Sequence, residues 1–188
     1  EDLIPFDIRT TWEAMEKCQR LGLVKSIGVS NFSSKKLSEL LSNATISPAV
    51  NQVEMHPYWQ QKELRDFCAK NGIHVSAYSP LGGKGTVWRS NLLFDTKEIQ
   101  QIAHAKGKST AQIILRWAFE QGVSFVSKSF HKGRMKENME IFDWELSEDD
   151  LQIISCLPQG KIFTGEYLVS PHGQYKTVAE LWDCEIIS

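Results

Sequence analysis

Two spacings of apolar residues alternate along the chain. Thr10-x-x-Glu13 reads as a capping box opening a helix that carries Trp12, Met15 and Leu21 and stops at Gly22. A short apolar, β-branched run follows at about 27–29, after which Ser33 or Ser34 caps a helix with Leu37, Leu40 and Leu41 at helical spacing. A second run ends near Gln52 and leads through His56-Pro57 into a helix at about 60–70. Leu64, Phe67 and Cys68 form its inner face, and Asn71-Gly72 terminates it. A third run occupies about 75–78. Strand and helix in strict alternation predict parallel pairing with right-handed crossovers.

The rhythm breaks after Pro80. Residues 81–95 contain Gly82, Gly83 and Gly85, then Trp88, without periodicity, and a loop of that length is usually functional or disordered. Two helices follow, at about 96–106 with Ile99, Ile102 and Ala103, and at about 109–121 with Ile113, Ile114 and Trp117. A fourth strand at 123–127 enters a helix at about 134–141. Ser147-x-x-Asp150 caps a further helix, with Leu146 and Leu151 placed as a hydrophobic staple. From Pro158 the chain reads as an irregular tail in which Leu181-Trp182 is a candidate anchor. The expected division is a domain at 1–158 and a tail at 159–188.

The strands end in Ser30-Asn31, Gln52, Tyr78-Ser79 and Lys128-Ser129. An apolar run that stops abruptly in polar residues is the pattern of a buried parallel strand whose carboxyl end opens onto a ligand site. Composition narrows the ligand. At 188 residues, 41% hydrophobic and 23% charged, the chain suits an ordinary globular domain with a sizeable core. A net charge of −2 gives no electrostatic reason to expect nucleic acid or an anionic membrane. No apolar run approaches the roughly 20 residues of a membrane span. Cys18, Cys68, Cys156 and Cys184 are scattered, which reads as reduced thiols and a cytoplasmic setting. The first residues lack the regions of a signal peptide and do not start with Met, so the expectation is a chain that begins mid-domain.

Lys128, Ser129 and Arg134 put an ammonium, a hydroxyl and a guanidinium between a strand end and the start of a helix, a set suited to a phosphate monoester. The same residues fit a solvated basic surface, since Lys132 and Lys136 lie nearby. Tyr78 can leave its strand end and stack on a ring, or serve as a core tyrosine. Ser30, Asn31 and Gln52 have the donors and acceptors a carboxamide needs, although Ser and Asn after a strand also cap helices. His56, before Pro57, reads as packed or catalytic, and the histidines show no metal-ligand spacing with Cys or carboxylates. Gly82-Gly83-Lys84-Gly85 lacks the spacing of a phosphate-binding Walker loop, but its glycines let backbone amides approach a pyrophosphate or simply permit a mobile loop.

Gly28-Val29-Ser30-Asn31-Phe32, Val50-Asn51-Gln52-Val53-Glu54-Met55-His56-Pro57, Ala77-Tyr78-Ser79-Pro80-Leu81-Gly82 and Lys128-Ser129, in that order, resemble the carboxyl-terminal half of an aldo-keto reductase. The resemblance covers essentially the whole chain, and the tail is most similar to plant members such as the chalcone and codeinone reductases. It implies an α/β fold, the C-terminal half of a (β/α)8 TIM barrel with about four parallel strands, an extra helix and a C-terminal tail. It implies NADP(H) as cofactor and a small-molecule carbonyl as substrate. Ser30, Asn31 and Gln52 would hold the nicotinamide carboxamide and Tyr78 would stack on the ring. Ser79, Leu81 and Gly83 would follow the pyrophosphate. Lys128, Ser129, Phe130, His131 and Arg134 would grip the 2′-phosphate, with Glu137 and Asn138 near the adenine. Position 131 departs from the family pattern, where Ser, Thr or Asn is more usual. Trp88 and the tail after Pro158 would touch substrate. The family's acid-base Asp, Tyr, Lys and His have no counterpart here, so no catalytic residue is expected in this chain. A half barrel is expected to be poorly stable and silent alone, with self-association through exposed barrel edges open to it. A non-catalytic nucleotide-binding module and a truncated gene product are the alternatives.

Overall fold

The computed structural model describes residues 7–83 and 91–185. In chain order the elements are α1 (Ile8–Arg20), β1 (Val29–Ser30), α2 (Ser34–Asn43), β2 (Val50–Glu54), α3 (Lys62–Lys70), β3 (His74–Tyr78), α4 (Leu92–Asp95), α5 (Lys97–Lys106), α6 (Thr110–Glu120), β4 (Ser124–Val126), α7 (Lys132–Met139), α8 (Glu148–Ser155) and α9 (Val178–Leu181). The strands form one sheet in the order β1-β2-β3-β4. Pairing is parallel in β1–β2, where Val29 faces Asn51, and in β3–β4, where Ala77 faces Phe125. Among the described residues no helix is long and apolar enough to cross a membrane.

Two compact units can be distinguished. The first comprises Glu1–Val53, Lys62–Val75 and Thr164–Ser188. Its core contains Trp12, Ile27 and Leu40, with Ile8, Val29, Phe32, Ala44 and Ile46 packed against them. Helix α1 starts earlier than its expected capping box. Asp7 is the cap, accepting from the Arg9 amide at 3.0 Å and from the Thr10 hydroxyl, so Thr10 serves Asp7 instead of opening the helix. A carboxylate there also suits the positive end of the helix dipole. Only the Trp12 and Glu16 side of α1 is buried. Met15 and Leu21, the other apolar residues read on this helix, are 37% and 63% exposed. Ser33 caps α2 through the Lys36 amide at 3.0 Å, burying Leu37 and Leu40. Gly28 is required by close approach, since a Cβ would lie 2.4 Å from Val50 Cγ1 and 2.7 Å from its carbonyl oxygen. Helix α3 begins two residues later than expected. Gln61, the residue before it, holds a left-handed backbone at φ 53°.

The tail is less irregular than its glycines and prolines imply. It contains a 3-10 turn at Glu166–Leu168 and the short α9. Trp182 is the anchor expected of Leu181-Trp182: it is buried, and its indole donates to the Thr164 carbonyl at 2.7 Å. Asp183 accepts from the Ser33 hydroxyl and lies 2.7 Å from the Lys36 ammonium.

The second unit comprises Glu54–Gln61 and Ser76–Phe163. Helices α5 and α6 bury Ile99, Ile102, Ala103, Ile113, Ile114 and Trp117 as their spacing predicts. Ser147 and Asp150 form the expected capping box of α8, and Ser109 and Gln112 form another on α6. Two expectations fail here. Strand β4 is not a buried strand: Val126 is 53% exposed, because β4 stands last in the sheet order and has one strand neighbour. Helix α7 spans Lys132–Met139 instead of about 134–141 and buries no side chain. His131 caps it, so Arg134 sits on its first turn, while the buried Ile141 lies beyond its end.

Candidate functional site

The second unit holds a cavity of about 420 Å³, within the usual range for small-molecule sites. One wall is the turn after β3, from Ser79 to Gly83. It is tightly wound: Ser79 has φ 49°, Gly82 has φ 69°, and the Gly82 amide donates to the Ser79 carbonyl at 2.9 Å. A non-glycine residue at positive φ is uncommon and recurs where a backbone is held for a ligand. The facing wall is the end of β4 and the inner side of α7, presenting Lys128, Ser129, Arg134, Glu137 and Asn138.

Of the site residues expected from sequence, Ser79, Leu81, Gly83, Lys128, Ser129, Arg134, Glu137 and Asn138 line this cavity. Tyr78, Phe130 and His131 are not among its walls. Phe130 is 89% exposed, with the Lys128 ammonium 4.0 Å above its ring centroid. The His131 ring is spent on the backbone, its Nδ1 accepting from the Arg134 amide at 3.3 Å. Trp88 lies outside the described residues. The sequence reading missed Phe94, Ser109, Thr110 and Ala111, which also line the cavity. A signal for the last three existed in Ser109-x-x-Gln112, a helix start whose first turn has amides to offer.

In the first unit, Ser30 and Asn31 close β1 and Gln52 lies in β2. Ser30 donates from its hydroxyl to the Gln52 carbonyl at 2.9 Å. Asn31 sits at φ 60°, a conformation asparagine tolerates better than most residues. The neighbouring Asn51 is fully buried and cross-links the loop, donating to the Phe32 carbonyl at 2.9 Å. Asn51 thus holds the β1 end in place. The adjacent Cys68 thiol is pushed up to about 11 by burial, which makes it an inert core residue. All four cysteines are free. Among the described residues, no group of three or more His, Cys, Asp or Glu is placed to hold a metal.

Among the described residues, neither Lys128 nor Arg134 has a carboxylate within ion-pair distance, and Asn138 donates to the Ser127 hydroxyl at 3.4 Å. The cavity thus brings together two cations, hydroxyls, the Asn138 carboxamide and the Glu137 carboxylate.

His56 is a packing residue. It is fully buried, and its Nε2 donates to Glu54 Oε1 at 3.0 Å. Glu54, also buried, accepts from the amides of Ile162 at 2.9 Å and Phe163 at 3.1 Å, and has the Lys161 ammonium 3.6 Å away. Burial alone would raise the Glu54 carboxyl. The His56 hydrogen bond, the charges of His56 and Lys161 and the Ile162 amide outweigh it and hold the group below its ordinary 4.5.

Residues 4–157 match the aldo/keto reductase family. The chain is 59% identical over 186 residues to deoxymugineic acid synthase 1 of Zea mays, covering 99% of this chain and 59% of that protein. It is 55% identical to the (1S)-1,7-diacetoxy-luvungin A aldo-keto reductase of Citrus sinensis, covering 58% of it. The chain therefore spans less than two thirds of the curated relatives it matches. Among solved structures, the aldose reductase of Schistosoma japonicum superposes with a TM-score of 0.77 at 33% identity, covering 87% of this chain and 51% of that one. The aldo-keto reductase of Bombyx mori, solved in complex with NADP, gives 0.74 at 34% identity, covering 81% and 50%. The expected α/β class, with four parallel strands and alternating helices, is borne out.

Proposed function

Because the chain belongs to the aldo/keto reductase family, we propose that it is the cofactor-binding half of an NADP(H)-dependent oxidoreductase acting on an aldehyde or ketone. The observation that carries this reading is the cavity that joins Lys128, Ser129 and Arg134 to Glu137 and Asn138. The donor set fits NADP: two cations and a hydroxyl suit a phosphate monoester, and a carboxylate with a carboxamide suits an adenine edge. In this reading Lys128, Ser129 and Arg134 hold the 2′-phosphate, with Phe130 and His131 at its rim. Glu137 and Asn138 face the adenine, and Ser79, Leu81 and Gly83 follow the pyrophosphate. Ser30, Asn31 and Gln52 hold the carboxamide, Tyr78 stacks on the nicotinamide, and Trp88 with the tail after Pro158 contacts the substrate. NADPH supplies hydride when bound. This chain's residues bind and orient it, and no proton-transfer role is assigned to any of them.

The test is a fluorescence titration of the 188-residue chain with NADPH and NADH. Tighter binding of NADPH, lost in Arg134→Ala, supports the reading. Indifference to the 2′-phosphate sinks the assignment of Lys128 and Arg134. Mixed with NADPH and an aldehyde, this polypeptide is expected to show no turnover, and measurable oxidation of NADPH would overturn that part. A second reading, association without catalysis, draws on the exposed Val126 of β4 and on Phe130 and Met139, 89% and 67% exposed. Light scattering separates it from a monomeric cytoplasmic reductase, because self-pairing through a strand edge raises the mass with concentration.

A further inference from the structure

We infer that Glu54 is a positioning residue for the cofactor cavity, holding the segment that backs the Ser79–Gly83 wall. This rests on the reading of that cavity as a nucleotide site. Glu54 lies at the end of β2, is 1% exposed, and does not itself line the cavity. Its two oxygens gather the segment just before the tail: the Ile162 amide at 2.9 Å, the Phe163 amide at 3.1 Å and the Lys161 ammonium at 3.6 Å, with the Lys161 side chain only 4% exposed. A buried carboxylate receiving two main-chain amides fixes the path of that backbone through two charge-assisted hydrogen bonds.

The path matters because of where it carries Ile162. A Cβ at Gly82 would lie 3.4 Å from Ile162 Cδ1 and 2.8 Å from Leu93 Cδ1, so these side chains fill the space behind the Gly82 backbone. Gly82 lies within the turn whose Ser79, Leu81 and Gly83 line the cavity. Glu54 thus sets Ile162, Ile162 supports Gly82, and Gly82 sets the wall a nucleotide meets. The contact is close, and close-packed side chains transmit displacement instead of absorbing it. A carboxylate far along the sequence from the glycine turn acquires a role in the site through one isoleucine.

Coupling of this kind is reciprocal: if the clamp orders the wall, a nucleotide on the wall orders the clamp. The experiment is amide hydrogen exchange by NMR on the unmodified chain, with and without saturating NADPH. Exchange of the Ile162 and Phe163 amides is expected to slow at least about fivefold on binding. A clamp with only a structural role would leave these rates unchanged, and that result overturns the proposal. In a second arm, Ile162→Ala, which leaves the buried charges intact, is expected to weaken NADPH at least about fivefold when read well below its melting temperature, where the variant is folded. Native affinity in that variant would also count against the proposal. Arg134→Ala keeps the two failures apart. Loss of affinity there, with unmoved Ile162 and Phe163 amides, defeats the clamp and spares the cavity. Native affinity there defeats the cavity reading itself.

Discussion

The second unit contains two sets of polar groups with opposite fates. Glu54, His56 and Lys161 are all within a few per cent of complete burial, and every contact of the carboxylate is to a fixed protein group. Lys128 and Arg134 are exposed at the edge of a helix that buries nothing, and among the described residues they meet no carboxylate. A buried charge must be matched inside the fold, because leaving it unpaired costs several kcal/mol. An exposed cation can stay unmatched at little cost and wait for an anion. The first set therefore holds the fold and, through Ile162, backs the cavity wall, while the second is open to a ligand directly. Substitutions should separate the two.

The largest expected effect is on the buried set. Glu54→Ala removes the carboxylate that meets two amides and the Lys161 ammonium, and should cost roughly 3–5 kcal/mol in urea unfolding. A loss below about 1 kcal/mol would mean that the cluster is solvated and the comparison wrong. Arg134→Ala should do the reverse. It should weaken NADPH about tenfold or more, the scale of a lost charge-assisted contact, while shifting unfolding by less than about 0.5 kcal/mol. A stability loss equal to that of Glu54→Ala would erase the distinction.

Protons give a finer separation. The Glu54 carboxyl is held below its ordinary 4.5, its burial more than offset by the His56 hydrogen bond and the Lys161 charge. A depressed folded-state value means stability that is fully present above the ordinary value and lost as pH falls through the lower one. The chain should therefore lose stability on acidification below about 4.5, and Glu54→Gln should flatten that limb. Asp150 and Asp183 are depressed too, the first by its Ser147 cap bonds and Lys106, the second chiefly by Lys36 and Ser33, each against its own burial. A residual slope should survive in the variant. An identical acid limb in both proteins would remove Glu54 from the account.

The two sets also differed in how legible they were. Lys128, Ser129 and Arg134 were readable because they follow an apolar run directly, and their role needs only local spacing. The alternation of strands and helices was readable for the same reason, as were Ser33 and the Ser147 capping box. The Glu54 clamp depends on Ile162 and Phe163, more than a hundred residues on, and no local pattern announces it. The one available hint was a glutamate and a histidine inside Val53-Glu54-Met55-His56, where charge in a buried strand demands a partner. The exposure of β4 was misread because an apolar run reports propensity, while burial is decided by the neighbours it finds. Asp7 displaced Thr10 as a cap because either side chain fits the local rule, and the chain settled three residues upstream.

The smallest expected effect lies where the two sets of rules meet, at His131. Its ring caps α7 by accepting from the Arg134 amide at 3.3 Å, a long bond from a residue type outside the favoured caps. An imidazole whose Nδ1 is committed to the backbone keeps only Nε2 to offer a phosphate. If His131 serves the fold alone, His131→Asn should stabilise the chain by a few tenths of a kcal/mol, because asparagine is among the strongest caps. NADPH affinity should then stay within about twofold, since the cations that carry binding remain in place. If His131 also donates to the 2′-phosphate, the same variant should weaken NADPH about fivefold and leave NADH unchanged. That outcome would move His131 from the fold to the cradle, as a residue that both orders α7 and touches the ligand.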